Sequence, residues 1–139
     1  MDDTGIPQSA EDRYRIGAGL IDNLTGSGMA LDDIYLDPLV QPVSVMATGV
    51  LIIFDTVRRI KEAYPGVHCL CGLSKISFGL PNRKLINRYF LAQSIGVGVD
   101  SFILDPTDRQ LMGCYWASRA LVGEDKYCAN YLKAHRRGL

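Results

Sequence analysis

The sequence predicts an α/β protein assembled from parallel βα units, and three observations predict it. Helical and extended patterns alternate along the chain as α-β-α-β-α-β-α. The extended stretches are apolar runs with no polar face, as in a parallel sheet covered on both sides by helices. Their starts, near residues 34, 67 and 101, lie 33 and 34 residues apart. So even a pitch implies repeated βα units, and eight of them need roughly 270 residues, the size of a (β/α)8 TIM barrel. The 139 residues therefore read as one partial domain, residues 1–139, about half of such a barrel. It is entered on a helix whose own strand is missing, with Met1 as its last trace. A small doubly wound sheet is the rival, but it normally opens with a strand and a phosphate-binding turn, and the sequence has neither.

Each element has its own signal. Ser9-Ala10-Glu11-Asp12 is a helix start with an acid three residues after the cap, and apolar residues at Tyr14, Ile16, Leu20, Ile21 and Leu24 continue it to Thr25-Gly26-Ser27-Gly28. Asp33 to Leu36 is a short strand halted by Asp37-Pro38. A helix from about Thr48 to Tyr64 closes at Pro65-Gly66, and the apolar run Val67–Leu73 is the central strand. A ten-residue stretch rich in Gly, Ser, Pro and Asn follows, longer than the usual two to six of a βα loop, with Asn82 as the expected N-cap of the next helix. That helix runs from Arg83 to about Val97, and strand Ser101–Leu104 ends in Asp105-Pro106. Helices from Thr107 to Leu121 and from Glu124 to about Arg136 complete the chain.

Composition excludes several classes. Fifteen basic and fifteen acidic side chains cancel, which favours neither nucleic acid nor an anionic membrane. The basic end Lys133-Ala134-His135-Arg136-Arg137 reads as a last helical turn complementing the helix dipole. The longest apolar stretch, Val50 to Phe54, is far too short to span a bilayer. The amino terminus is acidic and polar, with no secretory leader, so a cytoplasmic protein is expected. Cysteines 69, 71, 114 and 128 lack zinc or redox spacing and read as buried free thiols.

Parallel strands bring their carboxyl ends to one rim, where ligands bind in such folds. That rim should carry Asp37, the Ser74–Arg83 loop and Asp105. Asp37 is either an Asp-Pro turn residue or a carboxylate accepting two N–H bonds from an amidine-like ring edge. Asp105 reads as the cap of the following helix. Arg83 is a surface residue or a ligand clamp, and Lys75 is solvated or a proton donor in the site. His68 heads its strand at the opposite rim and reads as structural. No Ser-His-Asp set, Gly-rich phosphate loop or metal-ligand cluster is present in the sequence.

With these residues in view, the chain resembles the methyltetrahydrofolate:corrinoid methyltransferases, a pterin-binding group that includes the folate module of cobalamin-dependent methionine synthase and, more distantly, dihydropteroate synthase. The matching pieces are Thr4-Gly5-Ile6-Pro7, Tyr35-Leu36-Asp37-Pro38-Leu39, Gly72-Leu73-Ser74 with Ser77 through Asn87, Ile103-Leu104-Asp105, and Tyr127-Cys128. They correspond to the carboxyl-terminal half of the family's barrel. The resemblance implies that Asp37 binds the pterin edge, that Gly72 and Ser74 line its pocket, that Arg83 holds the folate and that Ile103 packs on the ring. It implies methyltetrahydrofolate as methyl donor and, as acceptor, cobalamin on a partner corrinoid protein. A second copy or a separate chain would complete the barrel. Breaking the bond to a tertiary amine requires a proton or a strong hydrogen bond at that nitrogen. The family supplies it from an Asn in Gly-Leu-Ser-Asn, where this chain has Lys75, a donor-only ammonium. A charged Lys75 opposes protonation of a neighbouring nitrogen, so reduced or lost activity is expected. Phe78 also stands where some relatives carry a polar residue at a ligand contact.

Overall fold

The computed structural model describes residues 5–139. Met1, the expected trace of a missing strand, and Thr4 of the matching pieces lie outside the described residues. The elements are α1 (Ala10–Gly26), β1 (Tyr35–Leu36), α2 (Gly49–Ala63), β2 (His68–Gly72), α3 (Arg83–Gly96), β3 (Ser101–Ile103), α4 (Arg109–Leu121) and α5 (Ala129–Arg136). The sheet order is β1-β2-β3 and both pairings are parallel, with Tyr35 opposite His68, and Gly72 opposite Ile103. Strands begin at 35, 68 and 101, a pitch of 33 residues each time. Consecutive parallel strands joined through helices are the arrangement of a partial (β/α)8 barrel. Three strands are described, as the alternation α-β-α-β-α-β-α expected.

Helix α1 starts as its sequence dictates, Ser9 Oγ accepting from the Asp12 amide at 3.0 Å. One apolar cluster then ties Ile21 of α1, Ile53, Val57 and Ile60 of α2, Leu91 and Ile95 of α3, and Leu111 of α4 to Cys69 and Cys71 of β2. Each fully buried Ile or Leu among them contributes on the order of 1.5–3 kcal/mol. Gly17 permits close helix–sheet packing: a Cβ there would sit 3.1 Å from Leu36 and 3.4 Å from Ile60. Leu36, Cys69 and Cys71 therefore face the helices. The other face, which would be the inner side of a closed barrel, has no helix packed on it among the described residues. Tyr35 is 56% and Ile103 68% exposed on it.

Four local expectations are corrected. Asn82 precedes α3 but is left-handed (φ 47°), and its side chain caps nothing. Asp105 does not cap α4: Asp108 does, accepting from the Leu111 amide at 3.1 Å, while Asp105 accepts from Thr107 N and Oγ1. The last helix does not run unbroken from Glu124, because Tyr127 and Cys128 are both left-handed. Helix α5 begins after them, and buried Asp125 accepts from the amides of Asn130 and Tyr131. Finally, Cys69 and Cys71 are buried thiols but Cys128 is exposed. Burial pushes the thiols of Cys69 and Cys71 up to about 11 and about 12.

At the amino-terminal rim Asp100 binds Lys61 Nζ at 2.5 Å, His68 Nδ1 at 3.1 Å and the Cys69 amide at 3.0 Å. Burial pushes its carboxyl up, but the bonds from Lys61 and His68 win and hold it below its ordinary value. His68 also stacks on Tyr35, ring centroids 4.6 Å apart, so it is a structural residue, as its place suggested.

Candidate functional site

The stretch between β2 and α3 is not a loose loop. Leu73–Ser77 forms a turn of 3-10 helix, with Ile76 and Ser77 buried. The Ile76 carbonyl accepts from the Val43 amide at 3.0 Å, and Ser44 Oγ donates to the Phe78 carbonyl at 2.8 Å. Arg83 closes it, Nε donating to Ser77 Oγ at 3.1 Å and Nη2 to the Ser74 carbonyl at 2.7 Å. Two of its donor nitrogens thus hold the protein's own turn, and Nη1 makes no hydrogen bond among the described residues.

A cavity of about 400 Å³ opens between this turn and the end of β3. Of the expected residues it takes in Ser74, Arg83 and Ile103. Lys84, Asn87, Asp108 and Leu111 also line it, and sequence reasoning did not single them out. Asn87 lay within the matching stretch, and its Oδ1 is buried without a partner among the described residues. Asp108 puts a negative charge on the cavity wall, paired with Lys84 at 3.6 Å and Arg88 at 3.5 Å.

Gly72 and Ile103 are register partners, so they share the open face of the sheet. A Cβ at Gly72 would touch nothing within 4 Å. The result is a bare stretch of backbone beside an exposed apolar side chain, with Ser74 and Arg83 just beyond.

Asp37, Lys75 and Phe78 do not line that cavity. Asp37 sits at the end of β1 on the same rim, where one carboxylate oxygen accepts from the Leu39 amide at 2.8 Å. It borders a second, smaller cavity of about 40 Å³ together with Arg13. Neither of these two cavities takes in both Asp37 and Arg83. Lys75 is exposed, and no carboxylate pairs with it among the described ion pairs. Phe78 is exposed as well.

Fold and rim together define a segment of a parallel βα barrel. No protein-family model matches the chain. Against curated proteins it is 38% identical over 137 residues to the methylcorrinoid:tetrahydrofolate methyltransferase of Eubacterium limosum, covering 99% of this chain and 51% of that protein. It is 31% identical over 114 residues to the methionine synthases of Mycobacterium tuberculosis and Mycobacterium leprae, covering 75% of this chain and 9% of each. Identity at that level along nearly its whole length makes the chain a homologue of these proteins, and it spans about half the length of the corrinoid methyltransferase.

Proposed function

We propose that the chain supplies the carboxyl-terminal half of a folate-binding barrel that transfers a methyl group between methyltetrahydrofolate and the cobalamin of a partner corrinoid protein. The open face at Gly72 and Ile103, flanked by Ser74 and Arg83, carries the reading, and similarity along 99% of the chain supports it. Ile103 would pack on the pterin ring, while Gly72 leaves room for it and Ser74 lines its edge. Asp37 would accept N–H bonds from the ring edge, the carboxylate oxygen not bound by Leu39 being available. Arg83 would contact the folate through Nη1. The corrinoid, held by the partner, supplies a cobalt centre that exchanges methyl groups. The relative's name gives the opposite direction, from methylcorrinoid to tetrahydrofolate. Both directions share one transition state, so the same residues serve either. Free, buried Cys69 and Cys71 suit a reducing cytoplasm, and no helix among the described residues is long and apolar enough to cross a membrane.

A non-catalytic pterin-binding remnant or interaction subunit is the second reading, and Lys75 favours it. An exposed lysine with no carboxylate to orient it among the described residues is a poor substitute for an amide that both donates and accepts. The test is methyl exchange between methyltetrahydrofolate and cob(I)alamin, followed in both directions for the natural chain and Lys75→Asn. Turnover by the natural chain supports the enzyme. Turnover by Lys75→Asn alone supports a remnant that lost one position. Absence of folate binding in both forms rules out the folate reading.

A further inference from the structure

Among the described residues two charged side chains are buried, Arg13 and Asp125. Asp125 is accounted for locally by the helix it caps. Arg13 is different, because it reaches 25 and 26 residues along the chain. Its Nη1 donates to the carbonyls of Pro38 at 2.6 Å and Leu39 at 2.9 Å, and its Nε donates to the Pro7 carbonyl at 3.0 Å. Two of these acceptors belong to the residues directly after Asp37. The third of the turn, Leu39, is left-handed at φ 62°, a conformation a leucine adopts only when its surroundings impose it. The Leu39 amide binds Asp37 Oδ1 at 2.8 Å. The buried guanidinium thus holds the two carbonyls that fix the turn, and the turn fixes the carboxylate.

We infer that Arg13 is a positioning residue for the ligand site: it clamps the Asp37-Pro38-Leu39 turn in a strained form that presents the Asp37 carboxylate to a folate. The inference rests on the folate reading for the ligand but not for the clamp itself. Sequence reasoning missed Arg13, although it shares one helical face with Gly17 and Ile21, both buried. A lone arginine on such a face is the signal that was there.

A double-mutant cycle tests it, with 5-methyltetrahydrofolate as the probe and the full chain in the assembly it adopts in solution. Arg13→Met should weaken binding at least tenfold in the natural background and less than twofold in Asp37→Asn, since the clamp acts through that carboxylate. Equal losses in both backgrounds would mean a general structural role and overturn the inference. Hydrogen exchange at the Leu39 amide gives a second readout that needs no ligand. It should quicken at least tenfold in Arg13→Met and by less in Arg13→Lys, which folds with the charge retained if the methionine variant does not. An unchanged Leu39 amide in either variant sinks the clamp. Should the natural chain bind no folate, the folate reading falls alone, and the Leu39 amide still decides for or against the clamp.

Discussion

Two turns in this molecule begin with the same three residues, Leu-Asp-Pro, and each ends a parallel strand: Leu36-Asp37-Pro38 and Leu104-Asp105-Pro106. Both fold alike at first, the aspartate accepting from the amide two residues on, Leu39 at 2.8 Å and Thr107 at 2.9 Å. What holds them differs. Thr107 adds its own hydroxyl to Asp105 at 2.6 Å, so that turn is self-contained and exposed. The Asp37 turn has a leucine in that place, left-handed and without a hydroxyl, and takes its support from Arg13 on α1. An identical local pattern therefore gives one turn that any chain could build and another that depends on tertiary structure.

The comparison breaks or sharpens at several points, the largest effect coming from the brace. Arg13→Met should cost about 3 kcal/mol in urea unfolding, since it strands three carbonyls that now share charged hydrogen bonds. Thr107→Val, the matching change at the other turn, should leave the urea midpoint almost where it was. Next, Leu39→Gly releases about 1 kcal/mol of left-handed strain, so stability should hold or rise while folate affinity drops. A fall in stability with affinity intact would mean that Leu39 serves packing alone.

Acid pH gives a smaller contrast. The side-chain and backbone bonds from Thr107 hold the Asp105 carboxyl below its ordinary value. A depressed carboxyl stabilises the fold above the unfolded value of about 3.9, and that share fades as pH falls through its folded value. Carbon-detected NMR titration should find Asp105 low in the natural chain and closer to normal in Thr107→Val. The smallest effect lies inside the sheet. Burial raises the Cys71 thiol to about 12, with the Asp37 charge adding to it. Asp37→Asn should lower that thiol slightly, visible by thiolate absorbance in a chain with the other three cysteines changed to serine.

The sequence disclosed the fold well, because the pitch of apolar segments and the Gly and Pro breaks are local signals. Strand starts at 35, 68 and 101 fall within a residue of those expected near 34, 67 and 101. The site was less legible, since its shape comes from how turns pack on one another. Arg83 was visible as a residue at the right rim, but nothing local says that its Nε and Nη2 hold the Ser74–Ser77 turn. Asn82 has the composition of a helix cap, yet the tight turn forces it to φ 47°. Asp105 lost its expected role to Asp108, three residues on, because Thr107 occupied it first. Asp37 and Arg83 were expected around one hollow, and which cavity a residue borders depends on side-chain directions that spacing does not encode.

The uncovered side of the sheet, where Tyr35 and Ile103 meet solvent, ties the thermodynamics of this chain to how much of it is present. Whatever binds that surface stabilises by mass action, so the melting temperature should climb with protein concentration, or on adding the covering polypeptide, rather than stay a fixed property. Melting curves from two preparations are comparable only at matched dilution, and a flat dependence would mean that the surface tolerates water unaided.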